Sequence, residues 1–240
     1  MYFANTSAHQ LVMRNLLVLL FLVPLLSICQ SKDDVVTVRY KINTDNEWGM
    51  SPEFEYVVKG TPYLDKTYKM GAIILNNNTT TKSLMRYNIF RDYFELMDAQ
   101  QQHSILGKEY HNDVILEGRT YKFIDYLDRG KPASGYFIVH SNGKTMLYSK
   151  FSKTITKYEK PAHGYESFSS PKFINHFEYY IKRENKPAKK VDLNKRDVLY
   201  TIEDKFTILK AYVKEHKLRL KTEEEVIHLL TFYDSLENHN

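Results

Sequence analysis

The sequence predicts an α+β protein in which an antiparallel β-meander, folded as a sandwich or a barrel, precedes a C-terminal amphipathic helical segment. Short strand-like runs separated by turn residues extend from Val35 to about Ile181. Tyrosine and phenylalanine, which suit half-buried sheet faces, number 19 and 13 against a single tryptophan. Beyond Lys195 the apolar residues recur at three- and four-residue steps, which is the helical period. We therefore expect a signal peptide at 1–29, a β-rich domain at 30–185 and a helical segment at 186–240 packed on it.

The leader, "MRNLLVLLFLVPLLSICQSKDD", begins at Met13 and is typical of a secretory signal. Its apolar run from Leu16 to Leu26 follows Arg14 and is too short for a membrane-spanning helix, which needs about 20 residues. The residues before Met13 add no charge that would assist export. Translation from Met13 therefore explains the leader better than translation from Met1, and the sequence leaves both start codons open.

The one cysteine of the chain, Cys29, lies at the end of this leader and has three interpretations. Cleavage before Gln30 fits a signal peptidase, because Ser27 and Cys29 are then the small residues at −3 and −1. A lipoprotein signal would instead modify Cys29, although bulky Ile28 stands where such signals have a small residue. The third interpretation is an uncleaved anchor. We expect an exported protein, periplasmic or secreted, with an outer-membrane lipoprotein as the alternative.

The predicted strands follow one another at turn signals. "VVTVRYKI" has the alternating, β-branched pattern of a strand, and the next predicted strand ends at Gly60 before Thr61 and Pro62. "GAIILNNNTTTKSLMRYNIF" predicts two strands joined by an Asn/Thr loop, and "RDYFELMD" again has the alternating pattern of a strand. Glu117-Gly118 separates a further pair of strands. The strongest hairpin signal is Asn142-Gly143 in "GYFIVHSNGKTMLYSKF", where Gly143 is expected at positive φ, and "NHFEYYIKREN" closes the β-region.

The C-terminal segment predicts helices with one apolar face each. The first pattern covers Lys195 to about His216, with a break around Asp204. Thr222 and Glu225 have the spacing of a capping box, which marks the start of the last helix. Because each helix must bury a face, we expect packing on the sheet. The apolar stripe of the last helix comprises Val226, Leu229, Leu230, Tyr233 and Leu236.

Four segments of the mature chain have distinctive motifs: "KGTPYLDKTYKMGAIIL", "RYNIFRDYFEL", "GYFIVHSNGKTMLYSKF" and "KAYVKEHKLRLKTEEEVIHLLTFYDSL". Together these segments resemble a family of uncharacterised exported proteins from Bacteroidetes. The resemblance spans about Phe54 to Leu236. It implies export and this architecture, and it assigns no activity and no active-site residue.

Composition limits the kind of partner. Hydrophobic residues make up 42% of the chain and charged residues 26%, as in a folded soluble domain. The net charge is a mild +5 with both signs interleaved, so together with an export signal we expect no nucleic acid partner. The aromatic residues predict β-structure, and the alternative is an aromatic surface for sugars or peptides.

One candidate metal site lies in "EYHNDV", where every second residue is a possible metal ligand. Glu109, His111 and Asp113 would share one face if this segment were a strand, within reach of one metal ion. The local sequence is polar and contains asparagine, which is more typical of a loop. Glu224 and His228 lie four residues apart on the last helix, as zinc-binding pairs do. Because the HExxH pattern is absent, we expect them to be a pair on the helix surface.

One candidate ligand site is the polar-aromatic stretch Arg86, Tyr87 and Asn88. Arg86 offers a forked donor to a carboxylate or a phosphate. The alternative is a structural network at the strand end, in which Arg91 and Asp92 face solvent.

No linear catalytic signature is present. The sequence lacks a G-x-S-x-G elbow and a G-x-G-x-x-G fingerprint, and no cysteine follows Cys29. We expect no cofactor, and catalytic residues stay unknown. The favoured function is non-catalytic binding of an envelope protein, a peptide or a glycan, with membrane contact only if Cys29 is lipidated. The alternatives are a hydrolase whose site converges in three dimensions and an assembly factor that docks through its C-terminal helices.

Overall fold

Strands form where β-branched and aromatic residues are frequent, and successive side chains point to opposite faces, as in the strand Asp113–Leu116, where Val114 and Leu116 are buried and Ile115 between them is exposed. A computed structural model describes residues 35–40, 54–75, 79–108, 111–156 and 170–237. The described strands are β1 (Val35–Tyr40), β2 (Phe54–Lys59), β3 (Lys69–Ile74), β4 (Thr80–Asn88), β5 (Tyr93–Met97), β6 (His103–Ile105), β7 (Asp113–Leu116), β8 (Arg119–Asp128), β9 (Lys131–Val139), β10 (Thr145–Ile155), β11 (Phe173–Arg183) and β12 (Lys189–Val191).

Ten of these strands form one antiparallel sheet in the order β12-β11-β10-β9-β8-β7-β3-β4-β5-β6. Neighbours in space follow the chain except that β7 returns to pair with β3. β1 and β2 pair separately as a two-stranded sheet. The predicted antiparallel meander is confirmed. Since β12 pairs with β11, the sheet extends past the expected boundary at residue 185.

Two predicted turns connect neighbouring strands. Glu117 and Gly118 join β7 to β8 with φ values of 52° and 73°. The loop between β9 and β10 is longer than the predicted two-residue turn, because the strands end at Val139 and restart at Thr145. The N–H of Leu147 donates to Ser141 Oγ across this wider loop (2.9 Å). Gly143 has φ +139°, so the expected need for glycine holds.

The C-terminal segment contains three helices, and the break expected near Asp204 is confirmed. Glu203 and Lys205 adopt positive φ values of 66° and 53° between the first two helices. The last helix is capped at Thr222, whose hydroxyl accepts from the Glu225 N–H (3.4 Å). The helices are α1 (Lys195–Ile202), α2 (Phe206–Glu215) and α3 (Glu223–Glu237).

The helices bury their apolar faces against one another and the sheet. Sheet residues Leu147 and Ile181 share a core with Leu209 and Leu230 of the helices. Asp234 on α3 reaches the β9–β10 loop, where its Oδ2 accepts from the N–H of Lys144 (2.9 Å) and of Thr145 (3.1 Å). The last helix is therefore part of the folded unit formed by residues 35–240. Within the described ranges, no helix combines the length and apolar character needed to cross a bilayer.

Candidate functional site

Arg86 lies in a network that its own neighbours complete. It pairs in register with Glu95 on β5, and its Nη2 and Nε donate to Glu95 Oε2 at 2.7 and 2.9 Å. The guanidinium also stacks on the rings of Tyr63 (3.7 Å) and Tyr68 (4.4 Å). Burial opposes ionisation of Glu95, but the bonds from Arg86 and Tyr63 outweigh it and hold the pKa of Glu95 below its usual value. The forked donor expected to meet a ligand therefore binds Glu95.

Tyr87 and Asn88 do not join Arg86 at one open surface. Successive side chains of a strand point to opposite faces, and Tyr87 is buried in the core with its hydroxyl donating to Asp92. Asn88 is also buried, and its Oδ1 accepts from the N–H of Arg91 (3.0 Å). These contacts match the structural alternative for this stretch, except at Asp92.

Asp92 was expected to face solvent, and the structure corrects this. Its Oδ2 lies 2.8 Å from the ammonium of Lys150, whose side chain is only 7% exposed. β9 and β10 pair only at two positions, and this ion pair lies where they separate. There the Tyr136 N–H donates to Asp92 Oδ1 (3.3 Å) and Lys150 donates to the Tyr136 carbonyl (3.2 Å). The ion pair thus provides hydrogen-bond partners for the backbone of Tyr136, which a neighbouring strand would otherwise provide.

Gly135 makes room for this ion pair. A Cβ atom on Gly135 would lie 2.3 Å from Asp92 Oδ2 and 2.7 Å from Lys150 Nζ. Burial lowers the pKa of Lys150, and the Asp92 carboxylate opposes this effect. The ammonium has no open side for a substrate, so we assign the pair a structural role.

The predicted metal triad is only partly described. Glu109 lies outside the described residues, as does Cys29. His111 precedes β7 with φ 47°, so it lies in a turn and not on the strand that begins at Asp113. Asp113 faces Lys122 at 3.5 Å. Across the described ranges no three His, Cys, Asp or Glu side chains are placed to hold a metal ion, and the complete triad stays a prediction.

A serine–histidine–glutamate chain joins the sheet to α3. His140 Nε2 lies 2.7 Å from Ser149 Oγ, and His140 Nδ1 lies 2.9 Å from Glu223 Oε2. Burial lowers the pKa of His140 and the Glu223 carboxylate opposes this effect, so the neutral ring is favoured. Since the carboxylate can only accept, the proton lies on Nδ1 and Nε2 accepts from the Ser149 hydroxyl. This is the arrangement of a nucleophile, a base and an orienting acid.

Burial decides against Ser149 as an open nucleophile in this structure. The residue is 0% exposed on the middle of β10, with Tyr179 opposite it on β11. The Tyr179 hydroxyl donates to Glu223 Oε1 (2.7 Å), so the same carboxylate contacts β11 and the histidine that follows β9. The sequence contained no linear signal for this arrangement, because its members come from three separate elements.

A basic-rimmed apolar groove is a further feature that the described residues form. It has a volume of about 710 Å³ and lies between α1 and α2. Leu199 and Val213 form its floor, and the rings of Phe206 and Tyr200 lie 5.6 Å apart at the short link between the helices. Tyr200 is 63% exposed. Six cations and no carboxylate complete the lining: Lys195, Arg196, Lys210, Lys214, Lys217 and Arg219.

The six cations are available to a ligand. All six are exposed, and among the described residues none lies within salt-bridge distance of a carboxylate. Residues 195–219 carry seven Lys or Arg against four Asp or Glu. The helical spacing of Arg196 and Tyr200, and of Lys210 and Lys214, was a signal in the sequence.

No protein-family model matches the chain, and comparison with curated proteins and with solved structures found no match either.

Proposed function

We propose that this is an exported cell-envelope protein that binds a ligand without catalysing a reaction, and that the groove between α1 and α2 is its binding site. The observation that carries this proposal is an apolar floor surrounded by six cations, none of which forms a salt bridge with a carboxylate of the described ranges. Ligand sites combine apolar walls with a few polar groups that orient the ligand, in volumes of about 300–1,000 Å³. The Arg86 network lacks that openness, because Glu95, Tyr63 and Tyr68 already surround the guanidinium.

Export is supported by the leader, where a short apolar run follows Arg14 and ends at the small residues Ser27 and Cys29. The resemblance to exported Bacteroidetes proteins supports the same compartment. Mass spectrometry of the protein from its host tests this directly. We expect a mature chain that starts at Gln30, whereas a diacylglycerol adduct on Cys29 would establish the outer-membrane lipoprotein instead.

Binding at the groove can be tested with 8-anilinonaphthalene-1-sulfonate, an anionic aromatic probe. We expect wild type to bind one equivalent with a rise in fluorescence. The groove variant Lys195→Glu/Arg196→Glu should bind it far more weakly. The control variant Lys82→Glu/Lys131→Glu has the same charge change at exposed positions outside the groove, and it should bind like wild type.

The groove variant is expected to fold at least as well as wild type. Both substitutions lie in the first turn of α1, where the helix dipole stabilises acidic side chains and destabilises basic ones. Cooperative thermal melting measured by circular dichroism checks this, because loosely packed proteins also bind the probe. If the groove variant and the control variant bind equally, the groove is not the binding site.

A second candidate function, an envelope hydrolase, is favoured by the chain from Ser149 through His140 to Glu223. Opening of β10 towards solvent would be required before a substrate could reach the hydroxyl. A fluorophosphonate reagent tests this candidate. Labelling of Ser149 in wild type, together with ester hydrolysis that Ser149→Ala lacks, would establish the enzyme, and absence of both rules out this site as an esterase.

A further inference from the structure

The two ends of the groove between α1 and α2 differ in chemistry. At the link between the helices, Tyr200 and Phe206 present aromatic rings. At the far ends of the helices lie Lys195 and Arg196, which begin α1, and Lys214, which lies in the last turn of α2. Lys217 and Arg219 follow α2 and add to the same end. Five of the six cations therefore lie at the end away from the aromatic rings, and only Lys210, whose Nζ is 6.0 Å from the Phe206 ring, lies near that aromatic end.

Helix stability accounts for only part of this charge. Lys214 and Lys217 lie near the C-terminus of α2, where cations interact favourably with the helix dipole. Lys195 and Arg196 occupy the opposite kind of position, the first turn of α1, where a cation is unfavourable. Cations that act against their own helix, beside an open apolar floor, are explained by an anion that they bind.

We propose that the groove binds one single-chain anionic lipid of the fatty-acid type. Its head group would lie among the cations at Lys195, Arg196 and Lys214, and its acyl chain would run over Leu199 and Val213 towards Tyr200. This inference rests on the proposed function and specifies its ligand. Charge complementarity favours an anion, since the groove lining formed by the described part of the chain has six cations and no carboxylate. The apolar floor selects a hydrocarbon chain over a free inorganic anion. A volume of about 710 Å³ suits one small amphiphile.

Isothermal titration of the full chain with four probes tests the ligand class. The probes are myristate, tetradecyltrimethylammonium, inorganic phosphate and vesicles of anionic phospholipid. We expect myristate to bind with a stoichiometry of one, and the cationic analogue and phosphate to bind at least about tenfold more weakly, a difference of about 1.4 kcal/mol. Equal binding of myristate and its cationic analogue would overturn the charge argument. Binding to vesicles without binding to myristate would identify a membrane-docking face and refute the single-lipid site.

Chain length and groove variants locate the two parts of the ligand. Burial of each methylene should strengthen binding about fourfold between decanoate, laurate and myristate. Lys195→Glu/Arg196→Glu should weaken all three fatty acids about tenfold or more and leave this chain-length increment unchanged. Tyr200 is exposed, and Tyr200→Ala should instead reduce the gain in affinity per methylene. An affinity that is independent of chain length would refute the acyl site.

Failure of this inference and failure of the proposed function give different results. If the sulfonate probe binds and is lost in the groove variant, but fatty acids do not bind, the groove is a binding site for another ligand. If neither the sulfonate probe nor myristate binds, both proposals are wrong. Lys82→Glu/Lys131→Glu, with both substitutions outside the groove, should match wild type in every titration.

Discussion

Breaking the ion pair between Asp92 and Lys150 is expected to remove a large part of the stability of the fold. The Lys150 side chain is 7% exposed, and its ammonium donates to Asp92 Oδ2 over 2.8 Å and to the Tyr136 carbonyl over 3.2 Å. Removing one partner of such a buried pair leaves the other charge desolvated, which costs about 3–5 kcal/mol. Domains are stable by only about 5–15 kcal/mol, so either single substitution should be easy to detect.

The two single substitutions should differ. Lys150→Met leaves the Asp92 carboxylate, which is 20% exposed and keeps the bond from the Tyr87 hydroxyl, so we expect a loss near 3 kcal/mol. Asp92→Asn leaves the ammonium without a carboxylate, so we expect a loss near 5 kcal/mol at pH 7. The double substitution should cost less than the sum, by about 0.5–3 kcal/mol.

Asp92→Asn should also make stability depend on pH. Burial already lowers the pKa of Lys150, and removing the carboxylate lowers it further. The folded-state pKa then lies below the unfolded value of about 10.4, so the unfolded chain binds more protons in the window between them. The free energy of unfolding of this variant should therefore rise as the pH rises through that window, more steeply than that of wild type.

Urea unfolding at neutral and alkaline pH measures these differences. The control is Lys122→Met, which removes one partner of a half-exposed pair with Asp113 and should cost about 0–1 kcal/mol. If Lys150→Met is no more destabilising than Lys122→Met, or Asp92→Asn follows the pH dependence of wild type, the ion pair does not have this role.

Three further predictions concern the loop, the helical core and the Arg86 network. Gly143→Val should destabilise by at least about 1 kcal/mol in thermal melting, because φ is +139° and a Cβ would lie 2.5 Å from Asp234 Oδ2; an unchanged melting temperature contradicts this. Leu230→Ala, 1% exposed, should cost about 2–5 kcal/mol in urea unfolding, whereas Ile208→Ala, 50% exposed, should cost far less. The pKa of Glu95 is lowered in the fold, so its stabilisation is complete above the unfolded pKa and lost as the pH falls through the folded value. The stability difference between wild type and Glu95→Gln should therefore shrink on acidification, and a constant difference would show that the carboxylate is not stabilised in its ionised form.

Much of the secondary structure was predictable because it depends on local chemistry. The apolar runs on either side of Asn142-Gly143 and the three- and four-residue steps from Lys195 identified strands and helices correctly, and the break near Asp204 appeared where the apolar period falters. The Asn142-Gly143 signal located the β9–β10 loop, but its width depends on the Ser141 hydroxyl and on Asp234 from the last helix. Such a contact over 89 or more residues leaves no local trace.

The candidate sites show where sequence reasoning reached its limit. Arg86, Tyr87 and Asn88 are adjacent in sequence, but strand alternation separates Arg86 from Tyr87, and Glu95 occupies the guanidinium. Ser149, His140 and Glu223 meet only because β9, β10 and α3 converge. Neither arrangement could be recognised from spacing along the chain.

The sequence by itself determined the order of strands and helices and which face of α3 is apolar, because each depends on neighbouring residues and on a short period. Only the tertiary structure decided that β7 returns to β3, that Asp92 is paired with Lys150, and that the cations of α1 and α2 surround one groove. These features depend on which distant segments meet. Which segments meet is set by burial of apolar surface over the whole fold. The hydrophobic effect is non-directional, so the local sequence does not specify the partner of each segment.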